Sequence, residues 1–276
     1  MILILNSFYK KESINFSYEL KTFLKDLDFD SEILERDELK NILKDKIDFF
    51  KNIDFIIIPG GDGSILSLSR LLYKYNGLDI PVFSINFGEI GFILEIDKKN
   101  YKEQLKYYLF NKEKVSLIER TLLIANLKGY DVDISCLNEF VLNSMTTKLI
   151  KFNIYINKEK FLTYKADGII ISTPTGSTAY NMSAGGAIVD NELDAIILRP
   201  LCPYLVSDKS IILKDTNKIS IEISKDNLKS YLISDGQKEI HLKDDNIIEF
   251  KKCTKKLKMI KGAKSFYFKI KNKLYF

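Results

Sequence analysis

A chain of 276 residues has room for about two domains of ordinary size, each burying its own core, which excludes a disordered polypeptide. Hydrophobic residues make up 46% and charged residues 29%, with 13 Gly and 5 Pro, the balance of a globular protein rather than a fibrous or low-complexity one. The net charge of +5 comes almost wholly from dispersed Lys, with arginine confined to Arg36, Arg70, Arg120 and Arg199; this argues against a nucleic-acid partner but leaves a mild field suited to a polyanionic small molecule.

Residues 2–5 form a short buried-strand run. Met1 to Leu5 lacks a basic leader, and no apolar run approaches the ~20 residues of a membrane span, so a cytoplasmic protein without a membrane partner is expected. Helical spacing at Phe16, Leu20, Phe23, Leu24 and Leu27 predicts a helix over 13–27. Strands follow at 54–59 and 80–86, with helices at 64–75 and 99–110, an alternation that signals α/β layering.

From about residue 115 the texture changes to short β-branched runs at 120–127, 131–137, 152–156, 168–173, 195–198, 219–223 and 247–251. Several alternate apolar and polar residues, as Ile219, Ile221 and Ile223 do, which predicts a mostly antiparallel β domain. The expected division is an α/β domain at 1–112 and a β-rich domain at 113–256. Phe266, Phe268 and Ile270 alternate with Tyr267 and Lys269, predicting one more strand. The basic run Lys251, Lys252, Lys255, Lys256, Lys258 and Lys261 reads as linker and strand face.

Cys136, Cys202 and Cys253 are far apart and form no C-x-x-C pair, so neither a disulfide framework nor a zinc site is suggested. His241 is the sole histidine. Triads and multi-histidine metal sites are thereby set aside, and acid–base chemistry falls to carboxylates.

Three segments carry chemistry. Pro59-Gly60-Gly61-Asp62-Gly63-Ser64 lies between an apolar strand and an amphipathic helix. Its glycines permit positive φ and close ligand approach, Ser64 is a candidate N-cap, and the helix start offers amides to phosphate. A carboxylate among such amides would repel phosphate unless Asp62 orients an attacking hydroxyl or holds a divalent cation. As a carboxylate is a weak base at neutral pH, positioning would supply most of the benefit.

Asn138-Glu139 at a strand end suits either the vicinal hydroxyls of a ribose or a plain surface turn. TPTGSTAY at 173–180, preceded by Asp167-Gly168 and an apolar run, is either a donor-rich strand–loop–helix site or a turn that caps its own backbone.

Together these segments resemble the NAD kinase family, whose core is similar to that of diacylglycerol and sphingosine kinases. DFIIIPGGDGSIL at 54–66 is similar to its glycine-rich GGDG segment, Asn138-Glu139 to its Asn-Glu pair, and TPTGSTAY with Ser183 and Gly185-Gly186 to its most specific signature. Further similarity lies in NFGEIGF at 86–92, PLCP at 200–203 and Asp235-Gly236-Gln237. In two places the chain departs from the common pattern: Ser64 stands where Thr is frequent, and Tyr204 where His is frequent after the Cys-Pro pair.

The resemblance implies phosphoryl transfer from ATP or polyphosphate to the 2′-hydroxyl on the adenosine side of NAD, giving NADP. It implies Asp62 as base, Gly60, Gly61, Gly63 and Ser64 at the phosphates, and Asn138 and Glu139 holding NAD. Thr178, Ala179, Tyr180 and Ser183 would line the adenosine pocket; Asp167, contributed by this chain or a neighbouring subunit, would lie near the nicotinamide end with Ala195 and Ile197 as pocket walls, and Gln237 would also bind NAD. A divalent cation such as Mg2+ would accompany the donor, with no direct protein ligand assigned. The implied architecture is an N-terminal α/β (Rossmann-like) domain and a β C-terminal domain. The site would lie in the cleft, the final stretch 257–276 would return to the first domain, and the protein would be a homodimer or homotetramer. A lipid kinase would instead predict a basic amphipathic helix, which the sequence lacks; a binding-only sensor would gain nothing from Asp62.

Overall fold

The computed structural model describes residues 1–6, 11–46, 48–87, 91–127, 133–224, 230–242 and 247–274. Among these the chain divides into two compact units, Met1–Arg120 with Lys256–Phe276, and Thr121–Lys255.

The first unit is built on a seven-stranded sheet. Ser31–Glu35, Ile2–Asn6, Phe55–Gly60 and Val82–Asn86 lie side by side in that order, all parallel, and Ile96–Asp97 adds to Val82–Asn86. Helices Lys11–Asp26, Arg36–Asp45, Asp62–Lys74 and Tyr101–Phe110 connect or flank them. The central strands are buried along their whole length because both faces are covered, which is why they read as unbroken apolar runs. Leu20, Leu24, Phe55, Ile57, Phe83 and Leu105 form the core on one side. The chain's last segment enters the sheet as Leu257–Ile260, parallel to Val82–Asn86 and antiparallel to Leu117–Arg120.

In the second unit two six-stranded antiparallel sheets share one core. One runs Glu159–Ala166, Ile150–Ile156, Ile219–Ile223, Ile247–Lys252, Leu123–Leu127 and Ile134–Cys136. The other runs Ile211–Lys214, Ala195–Leu201, Gly168–Ser172, Glu139–Ser144, Ser230–Ser234 and Lys238–His241. Phe140 of one sheet meets Phe250 of the other with ring centroids 5.5 Å apart. Ile219, Ile221 and Ile223 point into this core while Ser220 and Glu222 do not, as their alternation predicts.

One expectation needs correction. The segment containing Phe266, Phe268 and Ile270 is a helix, Phe266–Leu274, not a strand. Ser265 begins it: its hydroxyl accepts the Phe268 N–H at 3.1 Å and its carbonyl the Lys269 N–H at 3.1 Å. Residues spaced i, i+2, i+4 also place the first and last on one helical face, so three alternating positions do not separate the two periods. The strand that returns to the first unit is Leu257–Ile260, inside the 257–276 stretch expected to return. The basic run lies partly on strand faces, as expected, and within it Lys252 Nζ reaches the buried Asp215 carboxylate at 2.9 Å. Lastly, residues 131–132 of the expected 131–137 strand and residues 88–90 of the 86–92 motif lie outside the described residues.

After Leu257–Ile260 the backbone passes so close to Glu95 that a Cβ at Gly262 would lie 1.8 Å from the Glu95 carbonyl oxygen. Backbone on both sides cannot yield cheaply. Gly262→Ala is therefore expected to lower the urea midpoint by the equivalent of about 1–3 kcal/mol; an unchanged midpoint would contradict this close packing.

Candidate active site

Parallel pairing of Phe55–Gly60 with Val82–Asn86 sets Gly60 opposite Asn86, so the chain leaves both strands at the same end of the sheet. Phe87 N–H donates to Gly60 O at 2.9 Å, and helix Asp62–Lys74 starts at once with Gly61 as N-cap. Asp62 occupies the first helical position, where the dipole favours a negative charge.

The Asp62 carboxylate turns onto the stretch after residue 91. Oδ2 accepts the Phe92 N–H at 2.9 Å, and Oδ1 accepts those of Ile93 at 3.1 Å and Leu94 at 3.4 Å. Gly91 is required beside it, because a Cβ there would sit 2.5 Å from Oδ1. An ionised carboxylate has about four lone-pair positions. The described amides use three, two on Oδ1 and one on Oδ2, which leaves Oδ2 with capacity for a hydroxyl.

The glycine loop differs from expectation in two respects. Positive φ among described glycines occurs at Gly185 and Gly236, not at Gly60, Gly61 or Gly63; Gly61 is extended, with φ −109° and ψ 178°. The loop glycines therefore do not serve a left-handed backbone. Ser64 is not the N-cap. The helix starts two residues earlier than expected, which makes Ser64 its third residue, buried, with its N–H bonded to Gly61 O at 2.9 Å.

In the second unit Asn138-Glu139 forms a corner between strands Ile134–Cys136 and Glu139–Ser144. Asp235 pins that corner, its Oδ1 accepting the Leu137 and Asn138 N–H groups at 3.0 and 2.8 Å, and its own N–H bonds to Glu139 O at 3.0 Å. Asp235 and Gly236 both have positive φ, as a tight hairpin turn between Ser230–Ser234 and Lys238–His241 requires. Reading of the sequence gave Asp235 no role, although an Asp-Gly pair between strand-like runs is a hairpin signal.

Most hydroxyls of the 173–180 segment are spent on its own frame. Thr173 Oγ1 donates to Leu137 O at 2.6 Å and accepts the Gly176 N–H at 3.0 Å; Ser177 Oγ both donates to and accepts from Val189; Thr178 Oγ1 donates to Thr175 O. Gly176 packs against Asn138 O, where a Cβ would approach to 2.1 Å. The self-capping alternative thus describes these hydroxyls, and the loop is held rigidly against the Asn138-Glu139 corner.

Strand register brings several expected residues together. Glu139 pairs with Ser172 and Ser172 with Ile197, so these side chains share the sheet face turned away from the core, with Ala195 two residues before Ile197. Ile197, Ala195 and Thr178 are buried, Tyr180, Ser183, Asp167 and Gln237 exposed, and Ala179 half-buried. Among the described residues Asn138 Oδ1, Glu139 Oε2 and Asn181 Oδ1 are buried polar atoms without a hydrogen-bond partner. Orphans of this kind are uncommon in a folded interior and suit a polar ligand. Asp167 accepts the thiol of Cys202, which raises the cysteine pKa. Tyr204 is over half exposed, with Lys165 Nζ 5.7 Å from its ring centroid.

Each unit by itself thus offers a distinct feature: in the first, a carboxylate at the start of a helix preceded by glycines, and in the second, a rigid strand–loop–helix frame edged by buried orphan acceptors. Comparison with known proteins narrows this. Residues 2–113 match the ATP-NAD kinase N-terminal domain and residues 137–262 the ATP-NAD kinase C-terminal domain. An NAD kinase of Clostridium botulinum (strain Kyoto / Type A2) is 37% identical over 223 residues, covering 79% of this chain and 76% of that one. One from Thermoanaerobacter sp. (strain X514) is 36% identical over 230 residues, covering 82% and 79%. The fold is also that of yeast NADH kinase complexed with NADH, with TM-score 0.82, 23% identity and coverage of 99% of this chain and 87% of that one. An NAD kinase from Archaeoglobus fulgidus in complex with ATP gives TM-score 0.77, 24% identity and coverage of 97% and 96%. The chain belongs to the NAD kinase family, a family of phosphotransferases.

Burial, and secondarily the charge of Asp235, pushes the Glu139 carboxyl up to about 8, against the opposing pull of the Tyr180 backbone N–H. An acid whose folded pKa lies above its unfolded value stabilises the fold while protonated. That stabilisation is complete below about pH 4.5 and is lost as pH rises toward 8. Thermal melts between pH 5 and 8.5 should show wild type losing a few kcal/mol that Glu139→Gln, neutral throughout, does not lose. Parallel pH profiles would contradict the assignment.

Proposed function

We propose that this chain transfers a phosphoryl group from ATP or polyphosphate to the 2′-hydroxyl of the adenosine ribose of NAD, giving NADP. The observation that carries this reading is Asp62, a carboxylate oriented by three amides at the start of a helix preceded by glycines. Asp62 Oδ2 accepts the hydroxyl proton as the ribose oxygen bonds to the terminal phosphorus and the bond to the bridging oxygen breaks, releasing ADP or a shortened polyphosphate. Since an aspartate is a weak base, proton transfer comes late and orientation of the hydroxyl provides most of the gain. Gly60, Gly61, Gly63 and Ser64 leave the helix start open to donor phosphates.

Asn138 and Glu139 receive ribose hydroxyls, which supports a role for their orphan oxygens. Thr178, Ala179, Tyr180 and Ser183 line the adenosine side, Asp167 serves the nicotinamide end, within one chain or across a homodimer or homotetramer, with Ala195 and Ile197 as pocket walls, and Gln237 joins them in binding NAD. A divalent cation, Mg2+ by preference, enters with the donor: such an ion takes most of its ligands from phosphate and water and needs no protein cage. The described residues form no cluster of three or more His, Cys, Asp or Glu that would hold it. What the ion supplies is neutralisation of phosphate charge. Among the described residues no helix is long and apolar enough to cross a membrane, and we place the reaction in the cytoplasm, where NAD and ATP are at hand.

In an assay coupled to an NADP-specific dehydrogenase, wild type with NAD, ATP and Mg2+ should form NADP. Asp62→Asn should lose about 100-fold or more in turnover while still binding NAD by calorimetry, and chelation of the metal should stop the reaction. Equal turnover by the variant would remove Asp62 from the mechanism.

A further inference from the structure

Behind Asp62 lies a buried charged cluster that the reaction described above does not use. Lys269, Glu95 and Arg120 are 3%, 5% and 4% exposed. Lys269 Nζ and Arg120 Nη2 each lie 3.0 Å from Glu95 Oε1. Burial lowers the lysine pKa, opposed chiefly by Glu95. Taking such groups out of water costs several kcal/mol per ion before pairing offsets it, so the cluster is a poor way merely to fill a core.

The other two ammonium protons go to main-chain carbonyls, Phe92 O at 3.3 Å and Leu94 O at 2.9 Å. These belong to the stretch whose N–H groups hold Asp62. In a trans peptide the C=O and N–H point in opposite directions. The Phe92–Ile93 peptide therefore accepts from Lys269 on one edge and donates to Asp62 Oδ1 at 3.1 Å on the other. An ammonium on the oxygen polarises that amide and strengthens its bond to the carboxylate. Nearby contacts fasten the same C-terminal segment: Gly262 against Glu95 O, Lys264 Nζ on Asp97 Oδ2 at 2.8 Å, and Lys273 Nζ 4.3 Å from the Phe92 ring centroid.

We infer that Lys269 is a positioning residue for catalysis: by holding the carbonyls of Phe92 and Leu94 it fixes the backbone that bonds Asp62, aims the Ile93 amide directly through the shared peptide, and so steadies the carboxylate in the orientation that receives the ribose hydroxyl. The inference rests on the reading of Asp62 given above. It gives the C-terminal helix, whose inward-facing residue is a lysine rather than Phe268, a part in the chemistry.

The test compares three variants of the full chain. Lys269→Met should lower kcat for NAD phosphorylation about 10-fold or more with KM for NAD changed less than about twofold, the pattern of a misaimed group that does not bind substrate. Amide hydrogen exchange in a peptide covering residues 91–95 should quicken, with peptides of the second unit unaffected. Lys269→Gln keeps an N–H donor without the charge and carries the same test should the methionine variant not fold. Lys264→Met, which removes the Asp97 pair but leaves both carbonyls bonded, should keep wild-type kcat. Unchanged kcat and exchange in the Lys269 variants overturn the inference, as does an equal fall in Lys264→Met. If Asp62→Asn is inactive while the Lys269 variants match wild type, this inference alone fails. If wild type forms no NADP, the reading of Asp62 fails and this inference with it.

Discussion

Three successive backbone N–H groups, those of Phe92, Ile93 and Leu94, converge on one carboxylate at the first turn of a helix. Much of the first unit can be understood as the means of holding that contact. Adjacent parallel strands bring Gly60 and Asn86 to one end of the sheet, Gly91 leaves room for the acid, and the returning strand Leu257–Ile260 brings the final helix to the far side of the backbone at Phe92 and Leu94. An oriented carboxylate costs no reorganisation when its partner hydroxyl arrives, which matters most for a weak base.

The second unit solves a different problem by similar means. Its loop at 173–180 spends hydroxyls on backbone groups and so becomes rigid, and Asp235 locks the Asn138-Glu139 corner from the opposite hairpin. What is left over is a small set of buried oxygens on Asn138, Glu139 and Asn181 without described partners. Their desolvation is a standing cost, largest for Glu139, whose acid form is favoured by it. Stability given up at such positions is a common accompaniment of ligand sites.

Legibility followed burial and sequence distance. Phe55–Gly60 and Gly168–Ser172 were plain because strands covered on both faces are apolar throughout, and Pro59 to Ser64 was plain because loop and helix adjoin in the chain. Ser31–Glu35 and Arg36–Asp45 escaped notice, being short, charged and only partly buried. Phe266–Leu274 was misread because apolar spacing carried the argument while the buried side chain is Lys269. No local pattern marks a lysine whose carboxylate partner is 174 residues away. Likewise the motif 173–180 announced a site, but whether its hydroxyls face a ligand or their own backbone depends on Leu137 and Val189, which the motif does not contain.

Asp62 can act as proposed only if the adenosine ribose docks against it. A crystal structure of the chain with NAD bound is the direct measurement. The ribose 2′-hydroxyl should lie about 2.6–3.0 Å from Asp62 Oδ2, with the bonds from Phe92, Ile93 and Leu94 intact. A ribose docked beyond hydrogen-bond reach of Asp62 would contradict this.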